Sequence, residues 1–98
     1  MKFEWNVKKT ETNQKKHKVS FSEAALIFSD KDILSMYDEQ HADTEERWIS
    51  LGQTPKGKFL VVVHKFNEIN GVEIVRLISA RNATKKEIEQ YLKLRDGV

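Results

Sequence analysis

Cysteine is absent from the 98 residues, which excludes a disulfide framework and any thiolate metal site. The absence also permits a reduced compartment, so a cytoplasmic location is expected. No apolar run reaches the length of a membrane-crossing helix, and the opening MKFEWNVKKTETN holds no apolar signal core. Histidine occurs only at His17, His41 and His64, too scattered to indicate a metal, and no other cofactor is suggested. Proline occurs once. There are no repeats, low-complexity tracts or long linkers, and the length fits one domain over residues 1–98. A nucleotide-binding glycine loop, a zinc spacing, a nucleophile elbow and a carboxylate dyad are all missing. Chemistry is left to basic and imidazole groups.

Charge is what the chain does have, and it is unevenly spread. The net +2 hides about +4 over residues 1–18, about −7 over 19–46 and about +5 over 47–98. An acidic middle between basic ends suits two surfaces with different partners; it is equally what a small solvated domain could show.

Local patterns give the elements. Lys2 to Trp5 alternates as an edge strand would. Residues 8–18 hold no apolar side chain, yet Asn6 can cap a helix there. On that helix Lys9, Asn13, Lys16 and His17 share a side, with Lys15 among them in sequence. Such a face suits phosphate, or is simply solvated. Ser20 and Glu23 form a capping box before an apolar stripe of Phe21, Ala24, Ala25 and Phe28, with Val19 and Ala24 as a staple. Ile33 to Tyr37 and Glu45 to Gln53 read as strands, the second placing Arg47, Ile49 and Leu51 on one side and Trp48 and Ser50 on the other. Thr54-Pro55-Lys56-Gly57 is a turn. Phe59 to Phe66, apolar on both sides, is a central strand, and Val72 to Ala80 pairs with it after an Asn70-Gly71 turn. Thr84 and Glu87 cap a last helix running to about Leu94. The order β-α-α-β-β-β-β-α predicts an α+β fold: an antiparallel sheet of four to five strands, two N-terminal helices and one C-terminal helix, the helices covering one face.

Three arginines stand out. Arg81 leaves the last strand beside a helix start, where the dipole favours anions, so an incoming phosphate explains it best. Arg76, five residues earlier, is expected on the opposite face and can equally be an ion-pair partner for Glu46 or Glu73. Arg47 opens another strand. His64 on the central strand reads as a hydrogen-bonded structural residue more readily than as a catalyst, and Trp48 as core more readily than as a base-stacking platform.

Taken together the motifs resemble the BrnT family of type II toxins. The resemblance rests on Phe3-Glu4-Trp5; Asn13-x-x-Lys16-His17 running into Val19-Ser20-Phe21 and Glu23-Ala24-Ala25; Phe28; Glu46-Arg47-Trp48-Ile49 with Gly52; Leu60 to His64; and Arg76-Leu77-Ile78-Ser79-Ala80-Arg81 with Ala83-Thr84 and Glu87. It implies a RelE-like fold and a ribonuclease that cleaves RNA without a metal and arrests translation. It further implies a BrnA-like antitoxin carrying a DNA-binding region, with which the toxin represses its own operon. On this reading Arg47 and Arg81 stabilise the phosphorane charge. His17, His64 or His41 supplies acid or base, and Lys9, Asn13, Lys15, Lys16 and Arg76 contact RNA. The alternative is a non-catalytic module that binds antitoxin or RNA in autoregulation. Three departures accompany the resemblance. Lys18 stands where glycine is usual, Asn6 stands for a common Asp, and the segment Lys65 to Gly71 is longer than usual.

Overall fold

The computed structural model describes residues 1–41 and 46–97. Strands β1 (Lys2–Glu4), β2 (Leu34–Tyr37), β3 (Trp48–Gln53), β4 (Phe59–Ile69) and β5 (Val72–Asn82) form one sheet in the order β1-β5-β4-β3-β2. Helices α1 (Val7–His17), α2 (Phe21–Ala24) and α3 (Lys85–Asp96) complete the expected α+β order. β2 to β5 form an antiparallel meander, but β1 lies parallel to β5, so the sheet is mixed. The α-helical return between β1 and the rest of the chain is what allows a parallel neighbour.

The β4–β5 hairpin sets the frame. Asn70 and Gly71 both adopt positive φ, 52° and 79°, as a two-residue turn matched to strand twist requires. The polar segment before that turn is therefore strand, and the ladder continues through Glu68–Glu73 to Ile69–Val72. Further down, Val63 pairs with Ser79 but His64 pairs with Leu77, leaving Ile78 as an extra residue. This bulge shifts the alternation of β5 by one. Val75 and Leu77 before it and Ala80 after it consequently all reach the same core.

That core lies between one sheet face and the segment Val19 to Ser29. Leu60, Val62, Val75, Leu77 and Ala80 meet Val19, Phe21, Ala24 and Ile27 there. α2 lasts only to Ala24 and then tightens into a 3-10 turn over Ala25–Ser29. Three residues per turn bring Ile27 under Phe21 and Ala24, while the expected stripe members Ala25 and Phe28 are only partly buried. Gly52 lets this turn approach β3: a Cβ on Gly52 would stand 3.0 Å from the Ile27 Cβ.

The two longer helices are held mainly at defined points. Asn6 caps α1 by accepting from the Lys8 and Lys9 amides, and Asn13 is the helix's buried residue. Lys18 closes the helix in the left-handed region, with φ 61° and ψ 26°. α3 begins with both halves of the Thr84–Glu87 capping box. Its contacts reach Phe59 and Arg81, and with Leu51 and Val61 it borders one groove. These residues lie on the face away from the core just described, so the helices do not all cover one side. β4 is covered on both sides, with Leu60, Val61 and Val62 all buried.

Candidate functional site

Cross-strand partners share a face, so the register assigns every strand residue to one. Arg81 stands opposite Val61 and Arg76 opposite Lys65, both on the face away from the core that α2 covers. The bulge at Ile78 thus places Arg76 and Arg81 on the same face, whereas simple alternation separates them. Arg47 comes one step before the Trp48–His64 pair and falls on this face by alternation with Ile49. Its carbonyl accepts the Asp38 amide at 2.8 Å, extending the β2–β3 ladder. Lys65 and Arg76 are direct cross-strand neighbours on β4 and β5, and Arg47 lies one residue before β3 beside them. Glu4 of β1 has its Oε1 3.4 Å from Arg76 Nη1. Neither Glu46 nor Glu73 takes that place.

Arg81 has a partner of its own. Its two terminal nitrogens donate to Glu87 at 2.8 and 2.9 Å, and Nη1 also reaches the Asn82 carbonyl at 3.3 Å. The hydrogen bond from Arg81 holds the Glu87 carboxyl down to about pKa 2, and the same bond raises Arg81 above its ordinary value. Glu87 is the capping-box residue of α3, so the cation at this helix start is answered from within the chain. No external phosphate is needed to explain it. With 42% of its side chain exposed, Arg81 still borders solvent.

The histidines separate sharply. His64 is fully buried on the opposite, core-side face. Its Nε2 meets Ser50 Oγ at 2.6 Å, which meets Ser35 Oγ at 2.7 Å. Its ring packs edge to face on Phe28 and Phe66. Burial pushes its pKa down to about 4, and Nδ1 has no hydrogen-bond partner. Such a ring is neutral and out of reach of a polymer substrate. The His41 side chain lies outside the described residues. His17 is half-buried at the end of α1, and its carbonyl accepts from Asn82 Nδ2 at 3.5 Å, next to Arg81.

A shallow basin of about 320 Å³ brings several expected residues together. Lys8, Lys9, Thr12, Asn13, Lys16 and His17 of α1 line it with Ile78 and Ser79 of β5, while Lys15 does not. Asn13 works as a structural member. Only 7% exposed, it donates to the Val19 and Ala80 carbonyls at 2.8 and 2.7 Å and accepts the Ala80 amide at 3.1 Å. β1 pairs with β5 only as far as Arg76, and beyond that point the Asn13 amide satisfies the edge as a neighbouring strand would. Its polar atoms are therefore engaged internally rather than offered to RNA. A larger apolar groove of about 780 Å³ lies on the arginine face, between α3 and Leu34, Met36, Ile49, Leu51 and Val61. Among the described residues, no group of three or more His, Asp or Glu converges as a metal site.

Sequence reasoning missed Lys65 and Ser79 as members of this surface, and Glu87 as the partner of Arg81. Lys65 alternates with Val61 and Val63 on β4 and was readable as a face-mate of Arg47. Ser79 was not, because its place depends on the bulge.

The mixed sheet thus packs α2 on one face and α3 on the other, with Lys65, Arg76 and Arg81 on the α3 side and a lysine- and histidine-lined basin beside β5. The family described as ribonuclease toxin, BrnT, of type II toxin-antitoxin system matches residues 5–87, and the chain belongs to that family. The solved Brucella abortus ribonuclease toxin, BrnT, has a similar fold. It is 24% identical with a TM-score of 0.58, over 87% of this chain and 99% of that one. Comparison with curated proteins gives no match. No helix among the described residues is long and apolar enough to cross a membrane.

Proposed function

We propose that this ribonuclease toxin is an endoribonuclease that cuts RNA with its own side chains on the arginine face, without a metal. We also propose that a cognate BrnA-like antitoxin with a DNA-binding region neutralises it in the cytoplasm. The observation that carries the site is the bulge at Ile78, which gathers Arg76 and Arg81 onto the face of Arg47 and Lys65.

The cleavage is an attack of the ribose 2′-oxygen on the adjacent phosphorus with departure of the 5′-oxygen. One group takes the 2′ proton, another returns a proton to the leaving oxygen, and cations stabilise the pentavalent charge. Arg47 and Arg76, with Lys65 between them, offer permanent charge and forked donors for the phosphate. Arg81 contributes through the donors that Glu87 leaves unused. His17 is partly exposed at the edge of the basin, where a ring nitrogen can take or return a proton. Lys9, Lys15 and Lys16 on α1 steer the strand toward the basin.

Purified protein incubated with labelled RNA in excess EDTA tests this. Cleavage is expected to persist in EDTA. It is expected to fall about 10²-fold in folded Arg76→Ala or Arg47→Ala, the range for removing one charge-stabilising group. Full cleavage by both folded variants overturns the site. No cleavage at any concentration, with antitoxin binding retained, favours the non-catalytic reading instead.

A further inference from the structure

We infer that the sheet face opposite the arginines, at its uncovered end, docks an arginine-bearing segment of a partner protein. This does not rest on the ribonuclease reading.

The hairpin separates its charges by face. Lys65 and Arg76 pair on one side, while Glu68 and Glu73 pair directly opposite each other on the other. Two like charges in that register destabilise a hairpin. Neither glutamate has an ion-pair partner among the described residues. A cation set between them removes the repulsion.

Beside these carboxylates lies a run of aromatic rings on the same face. Tyr37, Trp48 and Phe66 sit on three adjacent strands with centroids 5.5 and 5.9 Å apart, each pair edge to face. Tyr37 is 40% and Phe66 39% exposed, so the row is not closed over by the helices. Exposed rings next to paired carboxylates suit a guanidinium. Its plane lies on an aromatic face, and its fork meets carboxylate oxygens. RNA is excluded here by the same charges that favour the cation.

Full-length protein, isotopically labelled, is titrated with a short blocked peptide alternating arginine and leucine. Amide shifts are followed together with Trp48 fluorescence. The expected shifts cluster at Tyr37, Trp48 and Phe66 to Val75. Affinity is expected to drop roughly three- to tenfold in the double variant Glu68→Gln/Glu73→Gln, as removal of two exposed charge contacts implies. Tyr37→Ala is expected to weaken binding in the same direction, and RNA cleavage to stay unchanged in the double variant. Both glutamates are exposed, so the double variant is expected to melt no lower than the parent. Unchanged peptide affinity in the double variant overturns the proposal, as do shifts confined to other surfaces. So does displacement of the peptide from this face by RNA. Self-association abolished by the same substitutions overturns it too, because the occupant is then the lysine-rich α1 of a second copy.

Discussion

Asn13→Ala is expected to unfold the chain far more readily than any lysine substitution on the same helix. The side chain makes three hydrogen bonds, two to Ala80 and one to Val19, and is 7% exposed. Truncation leaves an amide and two carbonyls without that partner in a place water reaches poorly. At about 1 kcal/mol for each bond, the loss is about 3 kcal/mol. That is a large share of the ~5–15 kcal/mol available to a small domain. At about 4–8 °C per kcal/mol, the melting midpoint falls by roughly 12–24 °C. Asn13→Asp should be worse near neutral pH, because a carboxylate then faces two carbonyl oxygens. Urea unfolding of both variants beside Lys9→Ala and Lys16→Ala gives the comparison, the lysine variants staying within about 0.5 kcal/mol of the parent. A loss below about 0.5 kcal/mol for Asn13→Ala, with an unchanged denaturant slope, refutes the structural role and returns Asn13 to the RNA-facing set.

Three further outcomes are expected. His64 binds a proton less readily folded, near pH 4, than unfolded, near 6.5, so the unfolded state takes up more protons between those values. Its stabilisation is complete above pH 6.5 and fades as pH falls toward 4, by about 3 kcal/mol across the window. Urea unfolding between pH 7.5 and 4 should show this slope and His64→Gln should abolish it; an identical slope in the variant sinks the assignment. Lys18→Gly should stabilise by about 0.5–1 kcal/mol, because glycine adopts the φ of 61° at the end of α1 without side-chain strain; a lower melting midpoint contradicts this. Breaking the half-exposed Arg81–Glu87 pair should cost about 1 kcal/mol, discounted for solvent. Glu87→Gln should keep RNA cleavage while Arg81→Ala loses it. Equal cleavage by both removes Arg81 from the site. The Glu87 contribution is present above pH 4.5 and lost as pH falls toward 2.

Much of the fold was readable because its signals are local. The Asn6 and Thr84 caps and the Asn70-Gly71 turn each depend on residues within a few positions, and each forms as its pattern requires; at Ser20 only the hydroxyl half of the expected capping box forms, and the Glu23 carboxylate pairs with Lys58 at 3.0 Å. The apolar composition of Phe59 to Phe66 marked β4 as central, and it is central. The arginines and the lysine-bearing helix were likewise visible as candidates, and the order of motifs was enough to suggest the family that the chain belongs to.

Placement was not readable. The bulge at Ile78 has no signature of its own, yet it shifts the phase of β5 and moves Arg81 onto the face of Arg76. Asn13 meets Ala80 across 67 positions and Arg76 meets Glu4 across 72, so no window on the chain joins them. His64 looked like a possible acid or base until the packing of Phe28 and Phe66 enclosed it. Local sequence determines which elements form, because caps, turns and periodicity act between near neighbours. Which side chains share a face, and which cations are already neutralised, was decided only when distant strands closed into register.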